Sequence, residues 1–144
     1  MRIICLDVGE KRIGVAASDP FGWTAQPVEV ITRKKILNDF KRIEFLCREL
    51  SAELLLIGIP LDAEGGVGLQ ARKVRKFADK LLLHLEKSGI TIPMEYWDER
   101  YSTAEAERRL VESDLSRAKR KRVIDKMAAV VILEGYLFAN GDGK

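Results

Sequence analysis

Residues 3–14 read IICLDVGEKRIG, and this stretch decides the fold. Ile3, Ile4, Cys5 and Leu6 make an apolar run suited to a buried strand. GEKR (residues 9–12) is a turn, and IGVAAS (residues 13–18) returns as a second, antiparallel strand. Asp7 stands at the end of the first strand. Burying a carboxylate there is costly unless a cation or a hydrogen-bond partner meets it. Asp7 either takes part in such a meeting or only marks the turn.

Working outward, SDPFG (18–22) is a second turn and AQPVEVIT (25–32) a third strand. Pro27 places that strand at a sheet edge, or starts it just afterwards, because proline has no N–H to donate. Ile36, Leu37, Phe40, Ile43, Leu46, Cys47 and Leu50 recur at helical spacing and predict a helix from about Lys34 to Leu50. ELLLIGIP (53–60) is continuously apolar, as a strand covered on both faces must be. After the loop LDAEGGVG (61–68), a helix is expected from Leu69 to Lys87, with Gly89 as its stop. ITIPMEYWDE (90–99) is the fifth strand. Ser102 and Glu105 fit a capping box opening a helix over 103–111, and a last helix is expected over 117–138. The order βββαβαβαα predicts one α/β domain over residues 1–144. Its mixed five-stranded sheet starts as an antiparallel meander, continues in parallel and carries helices on its faces.

The 144 residues are 47% hydrophobic and 33% charged, which suits a soluble chain with a real core. No apolar run approaches the roughly 18 residues of a membrane span. MRIICLDVG lacks the pattern of a secretion signal, so a cytoplasmic location is expected. Cys5 and Cys47 sit inside apolar patterns and are expected in the core. His84, the single histidine, is expected on a helix flank. Zinc sites and histidine-based triads therefore have little material here, and carboxylates are the chemistry to expect.

The carboxylates fall at strand ends. Asp7 ends the first strand, Asp62 and Glu64 follow the fourth, and Asp98 and Glu99 end the fifth. Strand ends of α/β sheets are the usual ligand edge. Asp125 shares a helix stripe with Ala128, Ala129, Ile132 and Tyr136, which turns it inward. Acids gathered without a cation repel one another, so they take up protons or bind a metal ion. A hard, oxygen-ligated ion such as Mg²⁺ is the natural guest. The competing reading is plain: Asp7 and Asp98 form strand-end ion pairs with Lys11, Arg12 or Arg100. Spacing does not separate the two.

Positive charge is concentrated where the last helix begins. Arg117, Lys119, Arg120, Lys121 and Arg122 precede Asp125. Cations in a first helical turn oppose the helix dipole, whereas they suit a phosphate backbone. The net charge of +3 alone carries no such implication. An ordinary solvated helix start is the alternative.

LDVGEKRIGVAASD, IGIPLDAEGG, DERYSTAEAE and RVIDKMAAVVIL fall in order along nearly the whole chain. Together they resemble the YqgF/RuvX family. The resemblance implies an RNase H-like fold related to the Holliday junction resolvase RuvC. It also implies a Mg²⁺-dependent nuclease, with Mn²⁺ as a substitute ion. The implied substrate is structured nucleic acid: the 5′ end of precursor 16S rRNA, or branched DNA as the alternative. Cleavage would leave a 5′-phosphate and a 3′-hydroxyl. By motif, the catalytic and metal-holding acids are Asp7, Asp98 and Asp125, with Glu99 and Asp62 as alternatives for the second. Asp98 is preferred to Asp62 because a strand end is better fixed than a glycine-rich loop. Lys11, Arg12, Arg100, Lys119, Arg120, Lys121 and Arg122 would grip the nucleic-acid backbone. Monomer and homodimer are both open. Two other classes remain: a phosphotransferase, disfavoured because GEKRIGV lacks the P-loop lysine, and a non-catalytic RNA-binding module.

Overall fold

The computed structural model describes residues 1–62, 64–99 and 117–141, with side chains in the last span from 127 to 140. The described strands are β1 (Ile3–Val8), β2 (Arg12–Ser18), β3 (Ala25–Thr32), β4 (Leu54–Ile59) and β5 (Met94–Asp98). The described helices are α1 (Ile36–Glu49), α2 (Leu69–Lys87) and α3 (Arg117–Gly141). The helix expected over 103–111 lies outside the described residues.

The strands form one sheet in the order β3-β2-β1-β4-β5. β1 pairs antiparallel with β2, and β2 with β3, which gives the meander. β4 runs parallel to β1 on one side and to β5 on the other. The C-terminal ends of β1, β4 and β5 therefore share one edge. Pro27 lies on the outer strand, where its missing N–H disturbs no interior ladder. The β2–β3 register slips opposite it, between Val15 and Ala16.

Side-chain alternation builds two cores, one on each face. Leu6, Ile13, Val15, Leu55 and Ile57 face α1 and α2, meeting Phe40, Ile43, Phe77 and Leu81. Ile3, Cys5, Ala16, Leu54 and Leu56 face α3, meeting Ala129, Val130, Ile132, Leu133 and Tyr136. All six residues of β4 are buried, which is why its sequence reads as an unbroken apolar run. Both cysteines are free and buried. His84 lies on the flank of α2, as expected, and bridges to α1, with Nε2 2.8 Å from Glu44 Oε1.

Two boundaries differ from expectation. β5 starts after Pro93, whose carbonyl accepts from the Leu55 N–H at 2.9 Å. α1 starts at Ile36, because Lys35 is still extended and offers no side-chain cap. The end of α2 is as predicted: Gly89 has φ +89°, and the next N–H, of Ile90, returns to the Leu85 carbonyl at 2.8 Å. A methyl group there would touch nothing within 4 Å, so only backbone strain opposes it. Gly89→Ala should cost about 1–2 kcal/mol and Gly89→Asn distinctly less, as read by urea denaturation.

Candidate active site

β1 and β5 never touch, yet β4 between them brings their ends together. Leu6 pairs with Ile57, and Ile59 with Asp98. The Glu99 N–H then donates to the Ile59 carbonyl at 3.2 Å, extending the ladder one step. Asp7 alternates with Ile3 and Cys5, so it faces the α3 layer. Trp97 packs on that same layer, while Tyr96 packs on the other. By alternation Asp98 follows Tyr96, and Glu99 returns to the face of Asp7.

Gly58 makes the meeting possible. A Cβ at that position would lie 2.5 Å from Glu99 Oε2 and 2.7 Å from Ile132 Cδ1. The carboxyl of Glu99 thus occupies the space that any larger residue of β4 would fill. A glycine inside a buried apolar strand is the sequence signal for such a close approach. Read as a continuously apolar strand, ELLLIGIP does not by itself single out Gly58.

Burial is the first cause that pushes Glu99 up to about 8, followed by the charge of Asp7, a hydrogen bond to Asp7 and the charge of Asp98. Glu99 in its protonated form donates to the Asp7 carboxylate, so a proton stands between two acids. Glu99 Oε2 is buried without a hydrogen-bond partner. The Cys5 thiol is pushed well up, first by burial and then by Asp7 and Glu99, so the negative field reaches one step further along β1.

The basic wall lies on the other side of Asp7. A cavity of about 190 Å³ is lined by Asp7, Gly9, Glu10, Lys11, Arg12 and Gly14. Lys11 and Arg12, both singled out from sequence, thus border the same space as the first acid. Asp62 is engaged in its own loop: Oδ1 accepts from the N–H groups of Glu64 (3.0 Å) and Gly66 (2.6 Å). Asp125 lies on α3, one turn before the buried Ala128 and Ala129. Its side chain, those of Lys119, Arg120, Lys121 and Arg122, and Arg100 altogether, lie outside the described residues.

The donor set suits a hard cation. It is all oxygen, it carries excess negative charge, and one buried oxygen has no hydrogen-bond partner. Among the described residues no three acid, histidine or cysteine side chains form a metal-holding group. A third acid would have to come from outside them.

The sheet order with this acid edge beneath the last helix defines an RNase H-like fold. Solved structures agree. RuvC of Thermus thermophilus in complex with Holliday junction substrate superposes with a TM-score of 0.60 at 14% identity, over 98% of this chain and 96% of that one. The fowlpox virus resolvase in complex with Holliday junction DNA gives 0.54 at 10% identity, over 96% and 98%. The likeness at such identities concerns the fold. The model of the RuvX family, described as Holliday junction resolvase, matches residues 1–139, and the chain belongs to this family of nucleases. Curated relatives named "Putative pre-16S rRNA nuclease" include those of Desulforamulus reducens and Symbiobacterium thermophilum. The first is 53% identical over 137 residues, covering 95% of this chain and 96% of the relative. The second is 50% identical over 139 residues, covering 96% and 93%.

Two outcomes follow from the acid pair. The folded state holds a proton on Glu99 up to about pH 8, whereas an unfolded glutamate releases it near 4.5. Between those values the folded state binds more protons, so stability falls as pH rises through that window. Melting temperatures of chelator-treated protein between pH 5 and 8.5 should show this fall, and Glu99→Gln should flatten it. Gly58→Ala should destabilise by about 1–3 kcal/mol, as overpacked cores do, and should displace Glu99, which calorimetry and a changed Glu99 titration by NMR would reveal.

Proposed function

We propose that this chain is a Mg²⁺-dependent nuclease that trims structured RNA in the cytoplasm, with the 5′ end of precursor 16S rRNA as its substrate. The carrying observation is the half-buried Asp7–Glu99 pair, two acids sharing a proton where a cation could replace it. Asp7 and Glu99 would hold the ion, with Asp98 adding charge beside them and Asp125 completing the set from α3. Bound there, Mg²⁺ supplies positive charge to the phosphodiester oxygens and acidifies a water molecule. The chain's own residues do the rest. Lys11 and Arg12 hold a phosphate in the cavity next to Asp7. Arg100 and the cluster Lys119, Arg120, Lys121 and Arg122 hold the backbone further along.

The name carried by the curated relatives supports RNA as the substrate. The description of the family supports four-way DNA junctions as the second reading. Purified protein with Mg²⁺ or Mn²⁺ should be set against precursor rRNA and a four-way junction in parallel. Faster cleavage of the RNA is expected; cleavage of the junction alone would transfer the reading to resolution of branched DNA. Asp7→Asn should lower cleavage by at least about a hundredfold, since even outer-sphere partners of a metal cost 10–100-fold. It should leave the melting temperature and RNA affinity largely intact. Binding indifferent to Mg²⁺, with neither substrate cut, would leave a non-catalytic RNA-binding module.

A further inference from the structure

The β1–β2 turn walls the cavity beside Asp7, and a residue with no part in the acid cluster fastens it from behind. Arg33, just beyond β3, donates Nη1 to the Gly9 carbonyl at 2.7 Å. Its backbone N–H donates to the Lys11 carbonyl at 2.9 Å, and the Gly9 N–H donates to the Arg12 carbonyl at 2.8 Å. The carbonyls of Gly9, Lys11 and Arg12 are therefore all engaged. A carbonyl turned toward a phosphate repels it, and engaging these oxygens leaves the wall to its side chains, the cations Lys11 and Arg12 beside Glu10.

Arg33 is itself fixed on two further sides. Its Nε lies 3.7 Å from the carboxylate of Asp39, a side chain only 4% exposed at the start of α1. Its guanidinium lies over the ring of Phe77 on α2, 5.0 Å from the centroid. A planar fork can serve a carbonyl, a carboxylate and a ring face at once, which an ammonium group cannot. Another tie to the turn, Lys73 to Glu10 at 3.3 Å, joins two exposed side chains and holds weakly.

We propose that Arg33 is a positioning residue: by fastening the Gly9–Arg12 turn to the α1–α2 layer, it sets Lys11 and Arg12 to receive a backbone phosphate beside Asp7. This rests on the nuclease reading for the identity of the ligand. Arg33 touches no substrate and acts through the turn.

The test is a double-mutant cycle on a fluorescent hairpin RNA, with affinity read by anisotropy in chelator, so that binding is separated from cleavage. Arg33→Ala should weaken binding roughly fivefold to tenfold, the size of the weaker couplings within one residue network. The same change in a Lys11→Ala/Arg12→Ala background should alter affinity by less than about twofold. In cleavage, Arg33→Ala should raise KM and leave kcat within about twofold. Should Arg33→Ala fail to fold, Arg33→Gln, which keeps a donor for the Gly9 carbonyl, replaces it in the same cycle. Losses that add across the cycle, or a kcat defect with KM unchanged, overturn the proposal while the nuclease reading stands. Wild type that binds no RNA overturns both.

Discussion

Two acids confined in a space too small to keep their charges apart organise this structure. Asp7 and Glu99 meet beneath α3, over a strand residue without a side chain, and share a proton. Desolvation and mutual repulsion act in the same direction, toward the neutral acid. Such a pair is a poor contributor to stability when left alone. The sheet tolerates it because both of its faces are otherwise sealed by apolar packing. In the function we propose, a divalent cation would replace repulsion with attraction at the same spot, so the feature that weakens the fold would be the one that serves its chemistry.

The geometry behind the pair is simple. Parallel pairing of β4 with both β1 and β5 puts three strand ends on one edge, and alternation then decides which acids face each other. Glu99 stands one residue beyond the strand and falls on the face of Asp7; Asp98, inside the strand, acts on the pair through its charge. The basic turn completes the edge from the β2 side. Acid and base are thus neighbours because the hairpin that ends on Asp7 carries Lys11 and Arg12 in its own turn.

Much of this was legible in the residues. Strand and helix periodicities located every described element, and Gly89 marked the end of α2 to the residue. The unbroken apolar run of β4 announced a strand covered on both faces, hence the parallel crossovers. What pattern could not supply was which of two adjacent acids lies on the face of Asp7. Asp98 and Glu99 are one residue apart, and a one-residue step exchanges the two faces of a sheet. That choice depends on Gly58 and Ile132, which are remote in sequence from both. Arg33 was equally invisible, since its partners Gly9, Asp39 and Phe77 come from three different elements.

The order of strands in space has a temporal side. β1 emerges first from the ribosome, but its acid has no companion until β4 has docked and β5 has joined β4. Most of the polypeptide must be synthesised and folded before the pair exists. A nascent or partly unfolded chain carries the basic turn without the acid pair. The acid pair is therefore a property of the completed tertiary structure, and damage to packing far from it in sequence takes the pair apart.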